Sequence, residues 1–151
     1  MSVRMVDITS KEVVYREATA EGVIKLREET IKLIKEGKVE KGDVFALSTA
    51  SAILAVKKTP EIIPLTHNIP ITSVKVNYEF LGNDRVKVVV TVKTTAKTGV
   101  EMEAIMGVLA ALANIWDMVK KYEKDEEGQY PHTRIEYVRV VSKVKKPLSN
   151  E

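Results

Sequence analysis

The chain contains no cysteine and only two histidines, His67 and His132. The first absence excludes disulfides, thiolate nucleophiles and cysteine-ligated metals together. The second leaves no material for a histidine-rich metal site, so no metal is expected. No uninterrupted apolar run reaches the ~18 residues of a transmembrane helix. The opening residues, Met1 to Asp7, lack the apolar stretch of a secretory signal. A cytoplasmic protein without a membrane partner is therefore expected. No glycine-rich phosphate loop of the Walker or dinucleotide type occurs, and no Ser-His-Asp spacing stands out. Glutamine occurs once, whereas Lys, Glu, Val and Ile are abundant. That balance leans towards a thermophilic source.

What is present suits one domain spanning residues 1–151, with 44% apolar residues to build a core. The net charge is +3 and the pI near 9.0. Such a balance suits a polyanionic ligand, either a nucleotide or a nucleic acid, without choosing between them.

Val13 to Ala18 reads as a short strand. From Ala20 to Glu36, Val23, Ile24, Leu26, Ile31, Leu33 and Ile34 fall at helical spacing, and Gly37 is a natural stop. Asp43 is placed to cap a second helix, Val44 to about Lys57. Pro60, Pro64 and Pro70 frame an apolar loop that contains His67. Residues 71–81 and 85–95 alternate with a period of two around the hairpin signal Gly82-Asn83-Asp84. A long helix over about residues 99–122 follows. Residues 121–131 are charged and read as mobile, and Arg134 to Val144 forms a last strand. Merging the two adjacent helices leaves an α+β ferredoxin-like β-α-β-β-α-β pattern, an antiparallel four-stranded sheet with helices on one face.

The long helix concentrates the candidate chemistry. Residues 104–119 are apolar except for Gly107, Asn114 and Asp117. One sheet needs only one apolar stripe, so the surplus implies a second burial surface, most simply another subunit. At the helix mouth, Thr98-x-x-Glu101 fits a capping box, which gives Glu101 a structural reading. Glu103 lies just inside. Asp117 and Lys120, at i,i+3, can meet as an ion pair. A carboxylate in the last turns opposes the helix dipole, however, and sits among Ile115, Trp116, Met118 and Val119. A buried acid beside an amine is a way to tune proton-transfer groups. His67, alone in its loop, and Lys41, Lys57, Lys97 and Lys143, at the ends of predicted elements, are candidates for phosphate contacts.

These blocks together carry a resemblance. Met5-Val6-Asp7-Ile8, Lys41-Gly42-Asp43-Val44-Phe45-Ala46, Ile63-Pro64-Leu65-Thr66-His67, Lys97-Thr98-Gly99-Val100-Glu101-Met102-Glu103-Ala104 and Trp116-Asp117-Met118-Val119-Lys120 resemble molybdenum cofactor biosynthesis protein C, the cyclic pyranopterin monophosphate synthase family. The match runs in order from about residue 5 to residue 143, leaving 144–151 as a flexible tail. The family often ends in Gly-Gly-Lys-Ser-Gly where this chain reads Val144-Lys145-Lys146-Pro147.

The resemblance implies a ferredoxin-like lyase of molybdenum cofactor biosynthesis. It would convert 3′,8-cyclo-7,8-dihydroguanosine triphosphate to cyclic pyranopterin monophosphate, a pterin, and pyrophosphate, with no cofactor. It also implies a homo-hexamer, a trimer of dimers with active sites at a dimer interface. Asp117 and Lys120 match the catalytic acid/base pair. His67, Glu101, Met102, Glu103, Lys41, Arg16 and Lys143 match substrate-binding positions, with Arg16 reaching in from the neighbouring chain.

Two other readings remain beside it. A nucleic-acid-binding ferredoxin-like module would present stacking aromatics on its central strands, and residues 86–92 have none. A non-catalytic oligomeric scaffold would leave Asp117 and Lys120 as plain ion-pair partners.

Overall fold

The structure, a computed structural model, describes residues 1–148. Its elements are β1 (Val14–Lys25), α1 (Glu28–Glu36), α2 (Val44–Lys57), the single turn α3 (Thr59–Ile62), β2 (Ile71–Leu81), β3 (Arg85–Ala96), α4 (Glu101–Glu123) and β4 (Arg134–Lys146). The strands form one sheet in the order β2-β3-β1-β4, and each neighbouring pair is antiparallel. This is the α+β ferredoxin-like arrangement that the sequence pattern predicts.

The core lies between one sheet face and the helices. Ala18, Ala20 and Ile24 of β1 and Val86, Val88, Val90 and Val92 of β3 alternate onto that face and are fully buried. Ala104, Val108, Ala111, Leu112, Ile115 and Val119 of α4 pack on them, which makes α4 a core helix despite its length and apolarity. Gly22 and Gly107 permit this close approach. A Cβ on Gly22 would lie 2.7 Å from Val108 Cγ1 and 2.9 Å from the Tyr137 carbonyl oxygen.

Several local signals act as the sequence suggests. Gly37 ends α1 in the left-handed region at φ 68°, with Lys38 N donating to the Leu33 carbonyl. Asp43 caps α2, its Oδ1 accepting from Ala46 N at 3.0 Å. Gly82-Asn83-Asp84 turns β2 into β3.

Three expectations need correction. Residues 20–25 are not the start of a helix; they are the second half of β1. Ala20, Gly22, Val23 and Ile24 are buried because β3 and β4 flank this strand and α4 covers it. A stretch buried on both faces loses strict alternation, and Val23, Ile24 and Leu26 then fall at helical spacing. Next, residues 121–131 are largely held. α4 continues to Glu123, Asp125 Oδ1 accepts from the amides of Glu127 and Gln129 at 2.9 Å, and Tyr130 meets Trp116 edge-on at 5.2 Å. Finally, the expected flexible tail begins too early. β4 runs through Lys146, pairing Val144 with Glu17 and Lys145 with Arg16. Residues 149–151 of that tail lie outside the described residues.

Glu123 fixes where α1 begins and bears on the second correction. It is fully buried and accepts from the Arg27 amide at 3.1 Å, from the Thr133 hydroxyl at 2.7 Å and from the Thr30 hydroxyl. α1 has no side-chain cap of its own, so a carboxylate some 90 residues away in sequence (|i−j| of 93 to Thr30) fills that place. The same group ties down the start of β4.

Candidate active site

α4 carries a polar cluster at each end. The first surrounds its N-terminus, in a cleft of about 290 Å³ lined by Val6, Ile8, Lys11, Leu65, Thr66, His67, Thr98, Gly99, Glu101, Met102 and Glu103. The expected capping box is not formed. The helix begins after Val100, no side chain caps it, and Thr98 lies in the preceding bend. Glu101 is thereby released from a structural duty. Its carboxylate folds back over Gly99, where a Cβ would stand 2.1 Å from Oε1. Oε1 is buried and has no hydrogen-bond donor among the described residues. The nearest cation, Lys143 Nζ, is 3.7 Å away, close enough for charge attraction but too far for a hydrogen bond.

Glu103 is 3% exposed. Burial pushes its carboxyl up from the ordinary glutamate value, the Glu101 charge adds to the rise, and its own backbone amide opposes it. Arg16 is buried on the helix-covered side of β1. Its Nε donates to the Ala96 carbonyl at 3.2 Å and its Nη2 to Lys97 at 3.3 Å, both on the stretch that enters this mouth. His67 Nε2 lies 2.7 Å from the Val6 carbonyl oxygen.

The second cluster sits at the other end of α4, in a cleft of about 260 Å³ lined by Glu40, Lys41, Asp117, Met118, Lys120 and Lys121. Lys41 Nζ donates to Asp117 Oδ2 at 3.1 Å and to the Asp117 carbonyl at 3.0 Å. Lys120 Nζ lies 3.2 Å from Asp117 Oδ1. The two ammoniums hold the Asp117 carboxyl below the usual carboxylate range. The expected buried acid is instead open to water, with its side chain 55% exposed and that of Lys120 44% exposed. Asp117 points away from the sheet, on the side of α4 that the core does not cover.

The structure thus groups His67, Glu101, Met102, Glu103 and Lys143 at one end, with Arg16 nearby, and Lys41, Asp117 and Lys120 at the other. Glu103 and Asp117 are separated by about 21 Å of helix. Of the other lysines considered, Lys97 holds the Thr9 carbonyl at 2.9 Å and Lys57 is exposed. Reading the sequence missed Lys11, Glu40 and Lys121 as cleft residues. The only signal for the first was the Met5-Val6-Asp7-Ile8 block, which came without a role.

The sheet offers no stacking platform on β3. Tyr78 and Phe80 of β2 turn under α2, where Phe45 stacks on Tyr78 at 4.2 Å and meets Phe80 at 5.5 Å. This arrangement disfavours the nucleic-acid module.

Sequence relatives define the class. A probable cyclic pyranopterin monophosphate synthase of Pyrococcus abyssi is 60% identical over 143 residues, covering 95% of this chain and 89% of the relative. Proteins of the same name from Pyrococcus horikoshii and Thermococcus onnurineus are 60% and 58% identical, covering 95% of this chain and 89% and 91% of their own lengths. The MoaC family itself matches residues 5–146. The chain belongs to the MoaC family.

Proposed function

We propose that this chain is a cyclic pyranopterin monophosphate synthase, a lyase of molybdenum cofactor biosynthesis. It would act on 3′,8-cyclo-7,8-dihydroguanosine triphosphate, with each active site assembled from two copies of the chain. The observation that carries the second part is the separation of the two clusters along α4. A single small ligand cannot touch Glu103 and Asp117 of one chain across about 21 Å. A two-fold partner with its α4 antiparallel would bring one chain's N-terminal mouth against the other's Asp117 end. The outward surface supports such packing, since Met102 and Leu109 of α4 and Leu47 and Leu54 of α2 are exposed. The reading extends to a cytoplasmic homo-hexamer, a trimer of dimers. It also extends to a thermophilic source, in keeping with the single glutamine among 24 Lys and Arg and 21 Asp and Glu.

The chemistry divides between the clusters. Glu101, with a buried acceptor oxygen that has no donor among the described residues, suits the N–H groups of a guanine-derived ring. Glu103 and Met102 form the wall beside it. Ring opening and reclosure require proton transfers, for which Lys120 and Asp117 are the pair. Closing the cyclic phosphate forms one P–O bond and breaks the bond to pyrophosphate. Lys41, His67, Lys143 and Arg16 supply positive charge and donors for the phosphates. Covering Asp117 with a second copy would remove water and strengthen its coupling to both lysines.

Two experiments test this. Purified protein incubated with the cyclic dihydro-nucleotide should release pyrophosphate and form the cyclic pterin monophosphate; no release would end the assignment. Glu103→Gln and Asp117→Asn subunits, each inactive alone, should regain activity when co-assembled, because a mixed dimer contains one site with both wild-type halves. Failure of every mixture to recover would place both halves in one chain and overturn the shared site.

A further inference from the structure

One wall of the cleft at the α4 mouth comes from neither the sheet nor a helix. Val6, Ile8 and Lys11 belong to an arm that precedes β1. The arm is compact. The Thr9 amide and hydroxyl both donate to Asp7 Oδ1, at 2.8 and 2.6 Å, and Lys11 N donates to the Ile8 carbonyl at 3.0 Å. Two contacts seat it on the body, Lys97 Nζ on the Thr9 carbonyl at 2.9 Å and His67 Nε2 on the Val6 carbonyl at 2.7 Å.

The second contact constrains the chemistry of His67. A backbone carbonyl can only accept, so Nε2 must carry the hydrogen. Nδ1 is then the nitrogen left for a ligand, an acceptor in the neutral ring and a donor to a phosphate oxygen once the ring is protonated. Among the described residues no other hydrogen bond to the His67 ring occurs. His67 also sits on a loop rather than on a strand or helix, so little else sets its ring orientation.

We propose that the arm of residues 6–11 is a positioning element for His67. Its Val6 carbonyl fixes the Nε2–H tautomer and leaves Nδ1 as the nitrogen that meets the substrate. The functional half of this proposal rests on the reading of the cleft as part of the substrate site.

The test uses full-length protein, a variant lacking residues 1–9, and Lys97→Met, which removes the arm's other seat. With ring nitrogens labelled with ¹⁵N, two histidines give few signals, and His67→Ala assigns them. The full-length protein should show His67 as the Nε2–H tautomer with a slowly exchanging ring proton. That proton should exchange into water at once in the deletion variant and faster in Lys97→Met. An Nδ1–H tautomer in the full-length chain, or a ring proton unaffected by the deletion, would overturn the proposal and leave the cleft reading intact.

The kinetic arm separates function from contact. Deleting residues 1–9 should lower kcat/KM about 10-fold or more, as expected when a binding group loses its orientation. In a His67→Ala background the same deletion should add little, since the group it positions is gone. Higher activity after deletion would make the arm a competitor for His67 and overturn the proposal. Fully additive losses would overturn it too. If His67→Ala alone left kcat/KM unchanged, the cleft reading would fail and take the functional half with it.

Discussion

Lys41 grips Asp117 twice, through the carboxylate at 3.1 Å and through the backbone carbonyl of the same residue at 3.0 Å. The loop between α1 and α2 is thereby pinned to the last turns of α4, and Lys120 completes a carboxylate held between two ammoniums. Asp117→Asn removes the charge that gathers the lysines while keeping the side chain's shape. Product formation should nearly vanish while the oligomer persists, because Asp117 lies outside the core. Near-normal turnover in a variant of unchanged mass would reassign Asp117 to surface structure.

Lys120→Ala should act on the chemical step more than on affinity, since its proposed proton exchange occurs in the transition state. Lys41→Ala and His67→Ala should weaken binding as well, because phosphate is charged in ground and transition states alike. Single-turnover kinetics on the three variants separates these patterns. A pure affinity loss in Lys120→Ala would reverse the assignment.

Glu123 should be a stability residue without a catalytic part. Glu123→Ala leaves the Arg27 amide and the Thr30 and Thr133 hydroxyls buried with no acceptor. The cost should be on the order of 3 kcal/mol. Glu123→Gln, which retains one acceptor oxygen, should cost less. Denaturant midpoints measure this, and turnover per folded protomer should stay near wild type in both variants.

Gly22→Ala tests the packing of β1 under α4. The new methyl would press on Val108, Leu112 and the Tyr137 carbonyl, and that carbonyl belongs to backbone paired in β4. A loss of about 1–3 kcal/mol is expected. An unchanged denaturation midpoint would mean that the helix can lift off the strand at no cost.

Glu103 makes stability depend on pH in a defined direction. Its folded carboxyl titrates above the ordinary glutamate value, with burial as the main cause. Between those two values the folded chain holds more protons than the unfolded one. Stability from this group therefore falls as pH rises through that window and stays level above it. Asp117 acts in the opposite sense over a lower window, since its folded carboxyl is depressed. Subtracting the Glu103→Gln stability profile from that of wild type between about pH 4 and pH 7 isolates the first effect. The difference should move against wild type as pH rises; a flat difference would mean that Glu103 is not desolvated.

Signals carried by a few adjacent residues were legible in the sequence. Gly37 and Asp43 bound their helices because a left-handed turn and a capping carboxylate act within four residues. The period-two alternation through Val74–Phe80 and Val86–Val92 reports directly which side of a strand faces the core. The family blocks likewise pick out candidate residues that the structure gathers at the two ends of α4.

What the sequence did not yield depends on distant partners. The second half of β1 read as helix because a strand buried on both sides loses its alternation. Only pairing with β3 and β4 distinguishes it. The Thr98 box failed because the bend before α4, held in part by Arg16, sets where the first helical turn begins. Glu123 looked like one acid in a charged run, and only folding brings Arg27, Thr30 and Thr133 around it. The spacing of the two candidate clusters is different in kind, because it follows from one helix alone. Glu103 and Asp117 share one helix in the sequence, but a rigid rod at 1.5 Å per residue keeps them apart.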